Sequence, residues 1–140
     1  MHYPDTSLLI AAMTIEAGSA AAQVWIEVHR GSLLISEWTV VEISAALAMK
    51  VRLGVLTPER RAMTKAVFDR LTAGSLTVVP VASVDYRLAS RFADVVESHL
   101  RGGDALHLAI AARHSATVCT FDRQQASAGP IVGVPTQLIA

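Results

Sequence analysis

Asp5, Glu42, Asp104 and Asp122 each stand in a stretch with almost no other charge: His2-Tyr3-Pro4-Asp5-Thr6-Ser7, Val40-Val41-Glu42-Ile43, Gly102-Gly103-Asp104-Ala105 and Cys119-Thr120-Phe121-Asp122. A carboxylate withdrawn from water without a partner is costly, so acids in such settings either stay solvated or share a cation. Oxygen ligands suit a hard divalent ion, Mg²⁺ or Mn²⁺, held by a few carboxylates with positions left for water and a substrate phosphate. No Cys and His grouping at zinc spacing competes with that chemistry. Taken singly, three of the acids have plainer roles. Asp5 suits the N-cap of a helix opening at Thr6 or Ser7, Asp104 a dipole or capping position after two glycines, and Asp122 a turn after a strand. Glu42 is harder to place, because it is the only charged residue from Trp38 to Met49. Its helical neighbours three and four positions away are Trp38, Thr39, Ala45 and Ala46, none of which carries charge.

The elements that must position these acids alternate. Short apolar runs predict strands near residues 1–4, Leu33 to Ser36, Leu76 to Val79, Thr117 to Thr120 and Ile131 to Val134. Between them, helical patterns run from Thr6 to Met13, Ser19 to His29, Thr39 to Val51, Pro58 to Ala73, Val84 to Glu97 and Asp104 to His114. Thr57-Pro58 reads as an N-cap followed by proline at the first helical position, Ser83 as another N-cap, and Gly74 as a helix stop. Strands without clear polar alternation, separated by helices, indicate a parallel sheet covered on both faces. In such a sheet ligands bind beyond the carboxyl ends of the strands, where Asp5 and Asp122 follow their strands directly.

Composition sets the outer limits. A chain of 140 residues has the size of one ordinary domain, and no internal repeat or linker divides residues 1–140. Hydrophobic residues make up 52% and charged residues 17%, which leaves apolar surface for a partner and predicts an oligomer or obligate complex. Twelve basic and twelve acidic residues cancel, so no bulk positive field attracts nucleic acid, and any polyanion must be met locally. Ten of the twelve basic residues are Arg, whose planar fork suits phosphate. Cys119 is the only cysteine, expected as a small buried strand residue in a reducing compartment. With no basic leader before the Leu8 to Met13 run, and no apolar stretch near the about 18 residues of a membrane span, a cytoplasmic protein is expected.

Four segments carry a resemblance. Tyr3-Pro4-Asp5-Thr6-Ser7-Leu8-Leu9, Thr39-Val40-Val41-Glu42, Gly103-Asp104-Ala105-Leu106-His107-Leu108-Ala109-Ile110-Ala111 and Thr120-Phe121-Asp122-Arg123 resemble, in order and spacing, the acidic motifs of PIN-domain ribonucleases. The likeness is strongest to VapC-type toxins of type II toxin-antitoxin modules. It implies a PIN-like three-layer α/β/α sandwich around a five-stranded parallel sheet, with the acids gathered at the carboxyl ends of the strands. It further implies endonucleolytic cleavage of RNA dependent on Mg²⁺ or Mn²⁺, a homodimer, and inhibition by a cognate antitoxin that blocks the active-site groove. The family's acidic positions fall on Asp5, Glu42, Asp104 and Asp122. Asp5 and Asp104 are expected to bind the principal metal, with Glu42 and Asp122 completing the cluster directly or through water. Two prolines depart from the usual pattern: Pro4 in the first strand and Pro130 in the loop expected before the last.

Around the acids, Ser7 and Thr120 have hydroxyls to offer the carboxylates or the substrate, with turn and capping roles as the alternative. Arg101 and Arg123 either clamp RNA phosphates or pair with the adjacent acids. His107, one turn after Asp104, is expected to be packed or hydrogen-bonded rather than catalytic. Trp25 and Trp38 are assigned to core or dimer packing ahead of stacking on bases. A phosphoacceptor signalling domain would want adjacent acids after the first strand, where Thr6 and Ser7 stand. A haloacid-dehalogenase-like phosphatase would want Asp at position 7. The remaining alternative is a PIN-like binding module that associates with partners without cleaving.

Overall fold

The structure is a computed structural model describing residues 1–140. Five strands, β1 (His2–Pro4), β2 (Leu33–Ser36), β3 (Leu76–Val79), β4 (Thr117–Thr120) and β5 (Thr136–Leu138), form one parallel sheet in the order β3-β2-β1-β4-β5. The chain winds outward from β1 through β2 to β3, then returns to β4 on the other side. The switch point therefore lies at the carboxyl ends of β1 and β4. Helices α1 (Thr6–Met13), α2 (Ser19–Val28), α3 (Glu37–Arg52), α4 (Pro58–Gly74), α5 (Ser83–Ala93), α6 (Gly102–Arg113) and α7 (Arg123–Ile131) connect the strands.

Side chains alternate across the pleat, which splits the core into two layers. Leu33, Ile35 and Cys119 face a cluster completed by Leu8 and Leu9 of α1, Trp25 of α2, Ile43 and Leu47 of α3 and Phe68 of α4. Tyr3, Leu34 and Val118 face the other cluster, with Ala89 of α5 and Leu108, Ala109 and Ile110 of α6. This is an α/β/α sandwich, as the alternating strand and helix pattern predicts. No helix is long and apolar enough to cross a membrane.

At the carboxyl ends of three strands, the last strand residue or one within two positions of it caps the next helix. Asp5 caps α1 by accepting from the Leu8 N–H, and Asp122 caps α7 by accepting from Gln124 and Gln125. Ser36 caps α3 in a reciprocal box with Thr39. Three helix N-termini thereby open at the carboxyl edge of the sheet. Pro4 is accommodated by the ladder. The His2 N–H bonds toward β2 and the Asp5 N–H toward β4, so proline removes a donor on the β2 side, where β1 pairs only at His2 with Leu33.

The structure corrects several expectations. Helix α3 begins at Glu37 rather than Thr39, since its cap lies on the last residue of β2. Ala82, not Ser83, precedes α5, and the N-terminal donor is satisfied by Asp85, which accepts from the Ala82 N–H at 2.8 Å. Helix α5 stops at Ala93, and a separate 3-10 turn spans Val96–Ser98 where one helix to Glu97 was expected. Gly74 is the last residue of α4 rather than a stop beyond it. The largest correction concerns the tail: Ile131 ends α7, the last strand is Thr136–Leu138 and not Ile131 to Val134, and Pro130 lies inside α7 rather than in a loop. Proline at 130 leaves the carbonyl of Ala126 without its helical donor, and the Thr136 hydroxyl supplies one at 2.6 Å. Gly129 allows α7 to press onto the final strand, since a Cβ there would collide with Thr136 and stand 2.7 Å from the Val134 carbonyl oxygen.

Helices α5 and α6 are tied by one ion pair. Asp85 is 1% exposed and accepts from Arg113 Nε at 2.6 Å and Nη2 at 2.8 Å, in addition to the Ala82 N–H. Burial alone would raise the Asp85 pKa, but the Arg113 and Ala82 hydrogen bonds outweigh it and hold the carboxyl below its usual range. Replacing Arg113 by Met strands a buried charge and should cost about 3–5 kcal/mol, whereas Asp85→Ala leaves an arginine that can reach water and should cost less. Because the folded pKa is depressed, the contribution of this pair is present above the ordinary Asp range and disappears as pH falls through the folded value. Urea titrations of both variants at neutral pH and at about pH 3 should show their differences from the parent shrinking on the acid side.

Candidate active site

The four acids open onto one region at the carboxyl edge of the sheet, each delivered by a different element. Asp5 follows central strand β1 and is 5% exposed. Its Oδ2 accepts from the Thr120 hydroxyl at 2.6 Å, and its Oδ1 from the Ser7 hydroxyl at 2.7 Å and the Leu8 N–H at 3.0 Å. Burial raises the Asp5 pKa, and these three hydrogen bonds oppose the shift without cancelling it. Thr120 also accepts from the Asp122 N–H at 2.8 Å, and Ser7 from the Phe121 N–H at 3.2 Å. The two hydroxyls bracket Asp5 and steer the chain from β4 toward Asp122.

Asp122 is exposed and caps α7, so its turn-and-cap role and its place at the site coexist. Asp104 lies in the first turn of α6, where the helix dipole favours an anion. Its pKa is nevertheless raised, first by burial and then by the charges of Asp122, Glu42 and Asp5, with His107 acting in the opposite direction. No hydrogen bond contributes to holding its proton off. Electrostatically the four carboxylates form one group, and Asp104 is the member with the least protein support.

Glu42 projects from the second turn of α3. Its Oε2 accepts from the Thr6 hydroxyl and from His107 Nε2, each at 2.5 Å. Burial would raise its pKa, but the hydrogen bond and charge of His107, with the Thr6 bond, bring it below the usual Glu range. The other oxygen, Oε1, lies against Gly103, where a Cβ would come within 3.1 Å of it and 3.5 Å of Trp38 Cζ2. A glycine at 103 therefore lets the first turn of α6 approach Glu42 closely and sets Asp104 beside it.

The remaining candidates separate clearly. Arg101, just before α6, and Arg123, at the start of α7, are exposed, and neither enters an ion pair with an acid. Trp25 is buried in the core, stacked on His29. Trp38 packs between Gly103 and the α6 face of the core. Cys119 is fully buried, and burial pushes its thiol pKa to about 12, removing thiolate chemistry. Sequence reasoning did not assign roles to Tyr3, Thr6 or Gly103. Only the adjacency of Thr6 to Asp5 and of Gly103 to Asp104 hinted at them.

The donor set suits a hard divalent cation: four carboxylates, no soft ligand, and like charges that raise the pKa of Asp104. No three acidic, histidine or cysteine side chains are already gathered in ligating contact. The oxygens of Asp5 and Oε2 of Glu42 are turned to protein donors, while Asp104 and Glu42 Oε1 carry none.

Raised folded pKa values make Asp5 and Asp104 lose stability contributions as pH rises through them. Mn²⁺ or Mg²⁺ should therefore raise the melting temperature near neutral pH, with the gain shrinking as the solution is acidified toward the Asp range. Asp104→Asn should stabilise the cation-free protein by about 1 kcal/mol while abolishing most of the cation-induced gain. Thermal unfolding with and without Mn²⁺ checks both signs.

Residues 2–129 match the PIN domain family. No curated protein matches the sequence. Among solved structures, the chain is similar to VapC20 of Mycobacterium tuberculosis, described as a sarcin-ricin loop cleaving toxin, with a TM-score of 0.73 at 17% identity, covering 92% of this chain and 95% of that one. It is similar to VapBC2 of Rickettsia felis, solved with a promoter DNA fragment, with a TM-score of 0.75 at 12% identity over 100% of both chains. A protein from Pyrobaculum aerophilum, PAE2754, gives a TM-score of 0.66 at 26% identity, covering 91% and 84%. With the family match spanning nearly the whole chain and the parallel sheet carrying its acids at the carboxyl edge, this protein belongs to the PIN domain family.

Proposed function

We propose that the protein is a Mg²⁺- or Mn²⁺-dependent endoribonuclease and the toxin of a toxin-antitoxin module. The convergence of Asp5, Glu42, Asp104 and Asp122 on one edge of a PIN fold carries this reading, with Asp104 electrostatically coupled to the other three. The structural likeness to VapC20 and VapBC2 supports the toxin assignment and an antitoxin partner. Residues 1–140 act as one domain, in the cytoplasm, and pair as a homodimer.

Asp5 and Asp104 would hold the principal cation, and Glu42 and Asp122 would complete the cluster. When bound, the cation would supply charge neutralisation at the scissile phosphate and activation of a water for in-line attack. Thr120, Ser7 and the Leu8 N–H fix the orientation of the buried Asp5 carboxylate at the end of β1. Arg101 and Arg123, unpaired on the surface beside Asp104 and Asp122, position RNA through its phosphates. Asp104 accepts no protein hydrogen bond and Asp122 is engaged only through Oδ1, by the Gln124 and Gln125 N–H groups, which leaves the other oxygens for ligation.

Water as nucleophile, rather than the adjacent 2′-hydroxyl, predicts products with a 5′-phosphate and a 3′-hydroxyl. Asp5→Asn should abolish both metal-dependent cleavage and growth arrest on expression, a loss of about a thousandfold or more when one ligand of a catalytic cation is removed. Sequencing of RNA 5′ ends after brief induction reads out both the ends and the sites. Products ending in 2′,3′-cyclic phosphate would refute the hydrolytic route. Growth arrest that survives Asp5→Asn would instead favour a binding module that acts through partner association.

A further inference from the structure

The acids are not held equally. Asp104 accepts no protein hydrogen bond, whereas Glu42 is the end point of a buried polar chain that starts on central strand β1. Tyr3, 0% exposed on central strand β1, places its hydroxyl 2.8 Å from Ser36 Oγ, 3.1 Å from Thr39 Oγ1 and 2.8 Å from His107 Nδ1. His107, 2% exposed on α6, reaches Glu42 Oε2 with its other nitrogen. Every member is buried except Glu42, and every polar atom along the path has a partner.

The proton positions follow from the ends. An ionised carboxylate only accepts, so Nε2 of His107 must carry a hydrogen. At Nδ1 the Tyr3 hydroxyl pairs with either form of the ring, donating to a neutral imidazole or accepting from a charged one, because a hydroxyl does both. Its remaining hydrogen-bonding capacity is met by Ser36 and Thr39, the two hydroxyls that cap α3. Glu42 lies on that same helix, so the device is closed: the N-terminus of α3 orients Tyr3, Tyr3 orients His107, and His107 orients a carboxylate farther along α3.

We infer that Tyr3 and His107 are positioning residues that lock Oε2 of Glu42, together with Thr6, so that Oε1 alone is presented beside Asp104 for the cation. This rests on the proposed cation-dependent activity and extends it to residues outside the four acids. The arrangement accounts for two otherwise separate observations: a fully buried histidine on an Ala and Leu helix, and a tyrosine hydroxyl placed in the core at the middle of the sheet. Partners of ligands in metal sites act in this way by restricting ligand orientation.

The test reads cation binding directly rather than cleavage. Tyr3→Phe keeps the ring and removes the hydroxyl; His107→Leu removes both nitrogens; His107→Gln keeps an amide donor that can reach Glu42. Mn²⁺ affinity is measured by isothermal titration and by Mn²⁺ electron paramagnetic resonance, alongside melting without cation to establish folding. Tyr3→Phe should weaken Mn²⁺ by several-fold and His107→Leu by about tenfold or more, with His107→Gln recovering much of the loss. In cleavage assays the defect should be relieved by raising Mn²⁺, and KM for RNA should stay unchanged. Folded Tyr3→Phe and His107→Leu proteins that bind Mn²⁺ like the parent would overturn the inference, as would a parent that binds no Mn²⁺. If His107→Leu fails to fold, Tyr3→Phe and His107→Gln decide it, since neither removes a packed volume. A parent that binds Mn²⁺ but cuts no RNA would overturn the proposed activity and leave the positioning result standing.

Discussion

The carboxylate of Asp5 is the constraint on which the rest of the molecule turns. It is buried at the end of the central strand, and a buried charge is tolerated only where hydrogen bonds replace its water. Thr120 of β4, Ser7 of α1 and the Leu8 N–H supply them, so the same carboxylate caps α1 and bridges the two strands that part at the switch point. Thr120 and Ser7 then take the Asp122 and Phe121 N–H groups, which sets the path from β4 into α7. Fold and candidate site are built from the same atoms at this edge.

Gathering four acids there is costly, and the structure offsets the cost unevenly. The N-termini of α1, α6 and α7 turn their positive ends toward Asp5, Asp104 and Asp122, and His107 and Thr6 stabilise Glu42 as an anion. Asp104 stays under-compensated, with its pKa raised by burial and by its acidic neighbours. Glycine at 103 contributes by shape, letting the first turn of α6 lie against Glu42 Oε1.

Much of this was legible in the chain. The parallel sheet, its first four strands and six of the seven helices follow from apolar periodicity and from cap residues such as Thr57-Pro58. The acids stood out because each interrupts an apolar stretch. Helix α7 did not, because Gly129 and Pro130 are ordinarily signs of a loop. The glycine is there for a close approach to β5, and the proline is tolerated because Thr136, six residues later, serves the orphaned Ala126 carbonyl. The cap of α5 was misassigned to Ser83 because the buried Asp85, paired with Arg113 from another helix, does the capping from inside.

Local physics therefore determined the order of elements, the alternation of buried faces and the identity of the lone acids, all of which depend on spacing along the chain. What the tertiary structure alone decided is how each acid is held. Asp5 and Asp122 cap helices that open at a common edge, so the cap role expected of each is the one the structure shows. The roles of Tyr3, Thr6 and His107 around Glu42 rest on contacts between residues 33 to 104 positions apart, brought together by the sheet order. Hydrogen bonds of that kind depend on distances in space, which sequence periodicity does not encode.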